Sequence, residues 1–206
     1  TGALDAGVHF AVGGARIRVL PGTSYDFSAQ GDAQVLVMNG DTRHLSPEAA
    51  YAVVYDAVRR AGEAGIACVY KKTDSALRGN VGAELAAAMD ALVFAPAFPR
   101  MDRVVQNGVL HSAGTPVAES AFGKDPFEPV RASRIAEILS AQTGKPVRIH
   151  PAGGPPPEEP GIHVYDAATD GELLSLAARL GPAGLALSAG CSGFASALPA
   201  ALGLEG

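Results

Sequence analysis

The chain has 206 residues, 48% of them apolar and 18% charged, with a formal net charge of −5. That length supports one good-sized core, and the apolar share excludes a disordered chain. The acidic balance without any basic block argues against a nucleic-acid partner, and no apolar run approaches the roughly 20 residues needed to cross a bilayer.

The first residues, around Gly2 and Asp5, read as a helix. Ile17 to Leu20 is a β-branched and aliphatic run ended by Pro21-Gly22, which predicts a strand and a turn. Gln34 to Met38 is a continuous apolar run closed by Asn39-Gly40, as expected of a strand buried on both faces. Ser46-Pro47-Glu48 supplies an N-cap, a proline at the first helical position and an acid in the first turn. Ala50, Val53, Val54, Ala57 and Val58 give that helix its apolar face, and Gly62 follows its end. Ile66 to Tyr70 predicts the next strand, Asn80 to Met89 a helix, and Leu92 to Phe94 a third buried strand.

From Pro96 to Pro129 periodicity fades, and a stretch that long is expected to be functional or folded into a small excursion. A helix at Ser133 to Ala141 and a strand at Val147 to Ile149 follow. Pro151 to Pro160 is rich in Pro and Gly and reads as a mobile surface connection. A strand at Gly161 to Tyr165, a helix at Gly171 to Leu180, a strand at Leu185 to Leu187 and a short helix at Ser192 to Leu202 complete the chain. The alternation predicts an α/β fold: a doubly wound, mostly parallel, Rossmann-like sheet with helices on both faces, in a single domain.

Ligands of open α/β sheets bind beyond the carboxyl ends of the strands. Three segments fall there: Asp41-Thr42-Arg43, Lys72 to Gly79, and Ala95 to Pro99. Arg43 suits a carboxylate through its fork, with Asp41 accepting from a hydroxyl or orienting Arg43; a surface pair between the two is the plain alternative. Lys72 offers a point charge, Asp74 two acceptor oxygens, and Ser75 both a donor and an acceptor. The plain alternative there is a solvated Lys72–Asp74 pair. Arg78 either meets the ligand or buttresses the loop, and Gly79 allows a positive φ or a close backbone approach. Asp5 reads as a cap or buttress, with a general-base role as its alternative. Lys71 reads as a surface charge. Cys68 and Cys191 read as buried free thiols, and the five histidines as structural or surface groups, with no metal spacing among them. No charged-then-apolar leader is present, so a cytoplasmic protein is expected. Ser188 to Gly193 reads as a tight strand-to-helix turn, since no Lys follows its glycine as in a phosphate-binding loop.

The run Lys72-Thr73-Asp74-Ser75-Ala76-Leu77-Arg78-Gly79-Asn80-Val81-Gly82-Ala83-Glu84-Leu85 resembles the K-x-D-S-T-L-R-G-N-x-G-A-E-L signature of the four-carbon acid sugar kinases, with Ala76 in place of Thr. Thr1 to Val8, Asn39 to Leu45, Ala95 to Pro99 and Asp125 to Val130 resemble four further motifs of that family in the same order. The resemblance implies an acid-sugar-binding N-terminal domain over residues 1–206, with Asp41, Arg43, Lys72, Asp74, Ser75, Arg78 and Gly79 binding substrate and Asp5 in support. It also implies that ATP and magnesium are held mainly outside this chain, by a C-terminal ATP-binding domain or a separate chain without a counterpart here. The rivals are a non-catalytic sugar-acid-binding module and a hydrolase on the same scaffold. A surface shaped for a second domain would leave an apolar patch open to self-association.

Overall fold

The computed structural model describes residues 2–20, 22, 26–27, 31–88 and 91–204. Thr1 of the first motif, Pro21 of the first turn and Met89 of the third helix lie outside the described residues.

In chain order the first half comprises α1 (Gly2–Val12), β1 (Ile17–Leu20), β2 (Val35–Met38), α2 (Pro47–Glu63), β3 (Val69–Lys72), α3 (Val81–Ala87) and β4 (Ala91–Ala95). A small antiparallel sheet follows, built of β5 (Arg103–Gln106), β6 (Val109–Ser112) and β7 (Thr115–Pro116). The remainder is α4 (Ile135–Ser140), β8 (Val147–His150), β9 (Gly161–Tyr165), α5 (Asp170–Gly184), β10 (Leu187–Gly190), α6 (Ser192–Ala195) and α7 (Leu198–Ala201).

The central sheet is parallel, in the order β3-β10-β4-β9-β8. β9 is buried at every residue and β4 from Leu92 onward, so these strands are apolar without alternation. One group of helices packs as α2 on α3 and α3 on α4; the other joins α1 and α5 to α6 and α7. Phe94, Tyr165, Phe194, Leu85 and Ile135 fill the space between sheet and helices. β1 and β2 form a separate parallel pair, with Ile17 opposite Val35 and Leu20 opposite Met38.

Several boundaries differ from the sequence reading, each for a local reason. The Ile66 N–H bonds the Ala61 carbonyl and Gly65 takes φ +72°, so Ile66 closes α2 instead of starting β3. β3 then runs on through Lys71 and Lys72, which pair with Ala189 and Gly190. Leu185 bonds the Gly181 carbonyl beyond a kink at that glycine, so the last strand starts later, at Leu187. The final helix is two short ones, α6 and α7. The excursion after β4 turns at Asn107-Gly108, both at positive φ, with the Asp166 carboxylate accepting both of their N–H groups at 2.7 and 2.9 Å. The 151–160 segment lies along the sheet edge, where Pro155 accepts from the Tyr165 hydroxyl and Glu159 pairs with Arg148.

The glycines of the Ser188 to Gly193 turn have a packing role. A Cβ at Gly190 would overlap the Ala95 carbonyl oxygen, and one at Gly193 the Ala97 carbonyl oxygen. Gly190→Ala is therefore expected to cost about 1–3 kcal/mol in urea denaturation, the usual range for overpacking. Gly171→Ala, whose Cβ would meet only the Thr169 hydroxyl at 3.9 Å, should be close to neutral. Equal stability of the two variants would refute the packing argument.

Candidate functional site

A cavity of about 540 Å³ opens where β2 and β3 end. Its polar end is lined by Asp41, Arg43, Lys72, Thr73, Asp74 and Arg78, and its depth by apolar residues such as Phe10, Val37, Val58 and Leu198. The loops after the two strands meet at the polar end because the strands run the same way.

Asp74 is the centre of that meeting. Its side chain is only 9% exposed, and it accepts from Arg43 at 2.7 Å and from Arg78 at 3.0 and 3.1 Å. The N–H groups of Ala76 and Arg78 bond the same carboxylate at 3.1 and 3.2 Å, folding residues 74–78 into a turn. Leu77 sits there at φ +62° with its side chain buried. Burial works against the Asp74 carboxylate, but the bonds and charge of Arg78, then the charge of Arg43, outweigh it and hold its carboxyl below the usual range. Arg78 continues the chain of charge to Asp125 at 3.1 Å, and its guanidinium stacks 5.4 Å from the Phe122 ring. The Asp125 carboxylate also accepts from the N–H groups of Phe127 and Glu128, a turn that brings Glu128 to 3.9 Å from Arg43 and 3.1 Å from His44.

A second cluster fixes the loop after β2. Glu84, 6% exposed on α3, pairs with Lys71 at 2.7 Å and accepts from the Thr42 hydroxyl. The Asn80 amide donates to the carbonyls of Thr42 and Leu45 at 3.0 and 2.8 Å. Gly79, at φ +79°, lies against Arg43, whose Cγ would be 3.0 Å from an added Cβ. Lys71 is thus part of an inward ion pair and not a surface charge, since β3 runs through it and turns its side chain toward α3.

Asp41, Arg43, Lys72, Asp74 and Arg78 come together at the polar end. Ser75 and Gly79 stand in the adjoining turn without lining the cavity, and Asp5 is exposed on α1. Arg43 pairs with Asp74 instead of Asp41, and Lys72 has no carboxylate partner among the described residues. Its ammonium lies over the first turn of α1, where a Cβ on Gly2 would be 2.6 Å away. The Thr73 hydroxyl, 2% exposed, is buried there without a partner. The third expected segment, Ala95 to Pro99, does not reach the cavity: Ala97 and Phe98 pack on Gly193. Asp125 and Glu128 bear on the polar end instead from behind the cavity lining, through Arg78 and Arg43. Sequence reasoning gave no role to Glu84, Asn80, Asp125 or Glu128, although each lay within a quoted motif.

The donor set does not suit a divalent cation or a triphosphate. Among the described residues no three Asp, Glu, His or Cys side chains stand where they could hold a metal ion together, and Asp74, Glu84 and Asp125 are committed to arginines and a lysine, which leaves Asp41 as the acid of the polar end without an ion pair. The glycines of the Gly190 turn are filled by packing. Cys68 and Cys191 are free, with burial pushing both thiols up to about 11, which makes poor nucleophiles of them. His9 bonds Ser192 at 2.8 Å, while His150 and His163 bond each other at 2.9 Å, away from the cavity.

The depressed Asp74 carboxyl has a pH signature. Its contribution to stability is complete above the unfolded carboxyl range of about 4 and is lost as pH falls through the lower folded value. Asp74→Asn is expected to be less stable than the parent at pH 7, with the gap shrinking below about pH 4. A gap that stayed constant from pH 7 to pH 2 in urea titrations would contradict the charge argument.

Comparison with known proteins fits this geometry. The family of sugar-binding N-terminal domains matches residues 1–198. The D-threonate kinase of Salmonella typhimurium is 36% identical over all of this chain and 52% of its own length. The D-threonate kinase of Bordetella bronchiseptica is 36% identical over 81% of this chain and 44% of its own. The chain thus spans about half the length of the curated relatives it matches. Among solved structures, a domain of unknown function from Bordetella bronchiseptica, with bound citrate and as a domain-swapped dimer, superposes with a TM-score of 0.84 at 32% identity, over 97% of this chain and 53% of that one. A Haemophilus influenzae protein at 21% identity shares the fold, with a TM-score of 0.83 over 100% of this chain and 55% of its own. The match of the family model over residues 1–198, with relatives 36% identical over most or all of the chain, shows that this chain belongs to the family of sugar-binding N-terminal domains.

Proposed function

We propose that the chain is the substrate-binding part of an ATP-dependent kinase acting on four-carbon acid sugars of the threonate and erythronate kind. The observation that carries this is Lys72: an ammonium at the polar end of the cavity with no carboxylate partner among the described residues, beside an arginine that Asp74 holds in place. A small carboxylate satisfies Lys72 and the open side of Arg43, which is 40% exposed and gives only one short bond to Asp74. Asp41, exposed at φ +47° and without an ion pair among the described residues, accepts from the hydroxyls of such an acid. The names of the relatives support the same class of ligand, as does the citrate bound by the Bordetella protein, another small hydroxy acid.

In this reading Asp74, Arg78 and Asp125 hold Arg43, while Glu84 and Asn80 hold the loop bearing Asp41. ATP with magnesium supplies the phosphoryl group, held by polypeptide outside the described residues. The chain's share is to bind the acid, orient a hydroxyl toward the donor and shed water as the two parts close. A hydrolase reading finds less support, since Ser75 has no histidine partner; a module that binds the acid without turnover remains the second reading.

Titration calorimetry with D-threonate, D-erythronate and citrate tests the proposal. Saturable binding of one four-carbon acid is expected, weakened at least tenfold, or about 1.4 kcal/mol, in Lys72→Ala and Arg43→Ala. Undiminished binding in Lys72→Ala, or release of product from the acid without ATP, would overturn it.

A further inference from the structure

The segment after β4 stays out of the cavity, yet it leads into a second group of polar side chains. Phe98 exchanges backbone bonds with Arg103 at the start of β5, and Phe98 itself packs on Gly193 in the turn after β10. Arg103 therefore stands where β4 and β10 end, the side of a parallel sheet on which ligands gather. Across the antiparallel sheet Arg103 lies opposite Ser112, and Ser112 lies opposite Thr115. Residues directly opposite one another share a face, with Cβ atoms roughly 4.5–5.5 Å apart. One guanidinium and two hydroxyls thus form a row beside the Ala113-Gly114 turn that joins β6 to β7.

The protein engages none of the three. Arg103 makes no ion pair among the described residues, and its Nε is buried without a hydrogen-bond partner. The Ser112 and Thr115 hydroxyls have no hydrogen bond among the described residues either, and both residues are only half-buried. Arg103 is nevertheless held in place, its guanidinium 4.9 Å from the centre of the Phe122 ring. Arg78 contacts the same ring at 5.4 Å. The two arginines differ in charge balance: Arg78 is met by Asp74 and Asp125, whereas Arg103 is left as an uncompensated cation. An arginine already ordered on an aromatic ring loses little further freedom when its fork takes up an anion. A buried N–H left bare is unfavourable, and an anion at the fork relieves it.

The donor set selects the anion. A carboxylate has two oxygens, and the guanidinium fork alone meets both. A phosphate group has three terminal oxygens, and hydroxyl donors beside the fork serve the third. The acid site is close by, since Arg78, which lines its cavity, shares the Phe122 ring with Arg103. We propose that Arg103, Ser112 and Thr115 form a site for a phosphate group, borne by the phosphorylated acid or by the phosphoryl donor. The site stands on the row of uncommitted donors; that the ligands of a kinase supply its phosphate rests on the function proposed above.

Nuclear magnetic resonance of the arginine Nε–H groups tests the site with inorganic phosphate as the probe. The Arg103 signal is expected to shift saturably, with the affinity falling at least tenfold in the Ser112→Ala, Thr115→Ala double variant. An Arg103 signal that phosphate leaves in place, or an affinity unchanged in the double variant, would overturn the proposal. Calorimetric titration with D-erythronate, with D-erythronate phosphorylated on its terminal hydroxyl, and with ATP separates the two sources. If the acid bears the phosphate, its phosphorylated form binds at least tenfold more tightly than D-erythronate, and Arg103→Gln removes that advantage. If the donor bears it, ATP binding is what Arg103→Gln weakens tenfold. Indifference of both phosphorylated ligands to Arg103→Gln would sink the site. So would a loss as large for D-erythronate as for either of them, which makes Arg103 a mere prop beneath Phe122. Should D-erythronate fail to bind the parent chain, the kinase reading falls, while the titration with inorganic phosphate still decides the site.

Discussion

One carboxylate sets the geometry of the polar end. Asp74 draws guanidinium groups from two directions, Arg43 from the loop after β2 and Arg78 from its own turn, while two backbone N–H groups fix the carboxylate itself. A charge so little exposed is tolerable only when its partners are in place, and removing one leaves the others uncompensated. The loop after β2, the turn after β3 and, through Arg78, the segment at Asp125 are therefore positioned together. Arg43 faces the cavity because Asp74 pulls on one side of it and Gly79 leaves room beneath it.

The Lys71–Glu84–Thr42 cluster works the same way one layer deeper. Lys71 and Lys72 are adjacent in β3 and so point to opposite faces. One is neutralised by Glu84 on α3, and the other lies over α1 with no acid to meet it among the described residues. A single strand thus separates a structural cation from a free one, and strand register decides which is which. A slip of one residue would exchange their places, so β10 pairing with Lys71 and Lys72 sets the charge at the polar end as well as the fold.

The strands and long helices were legible from continuous apolar runs and the Ser46-Pro47-Glu48 start of α2, but Gly62, read as following that helix, lies inside it, and Gly65 is the glycine beyond its end. The boundaries that moved did so where backbone bonding overrode composition: Ile66 is as apolar as any strand residue, yet its N–H closes a helix. The antiparallel sheet after β4 had a readable signal in Asn107-Gly108 between two apolar pairs, obscured by the prolines and polar residues around it. Of the site, the residues after β2 and β3 were found by the rule that ligands gather at carboxyl strand ends. Their pairing was not, because Lys72, Arg43 and Arg78 are equally plausible partners for Asp74 in one dimension. Distance in three dimensions chose the arginines. Asp125, 47 residues from Arg78, could be given its role only by the fold.

Lys72 and the cavity between β2 and β3 meet at one point. Lys72 ends β3, lines the polar end of the cavity and touches the start of α1. The charge around the cavity divides by role: Asp74, Glu84 and Asp125 are consumed in holding loops, while Lys72 and Asp41 at its polar end carry no ion pair among the described residues.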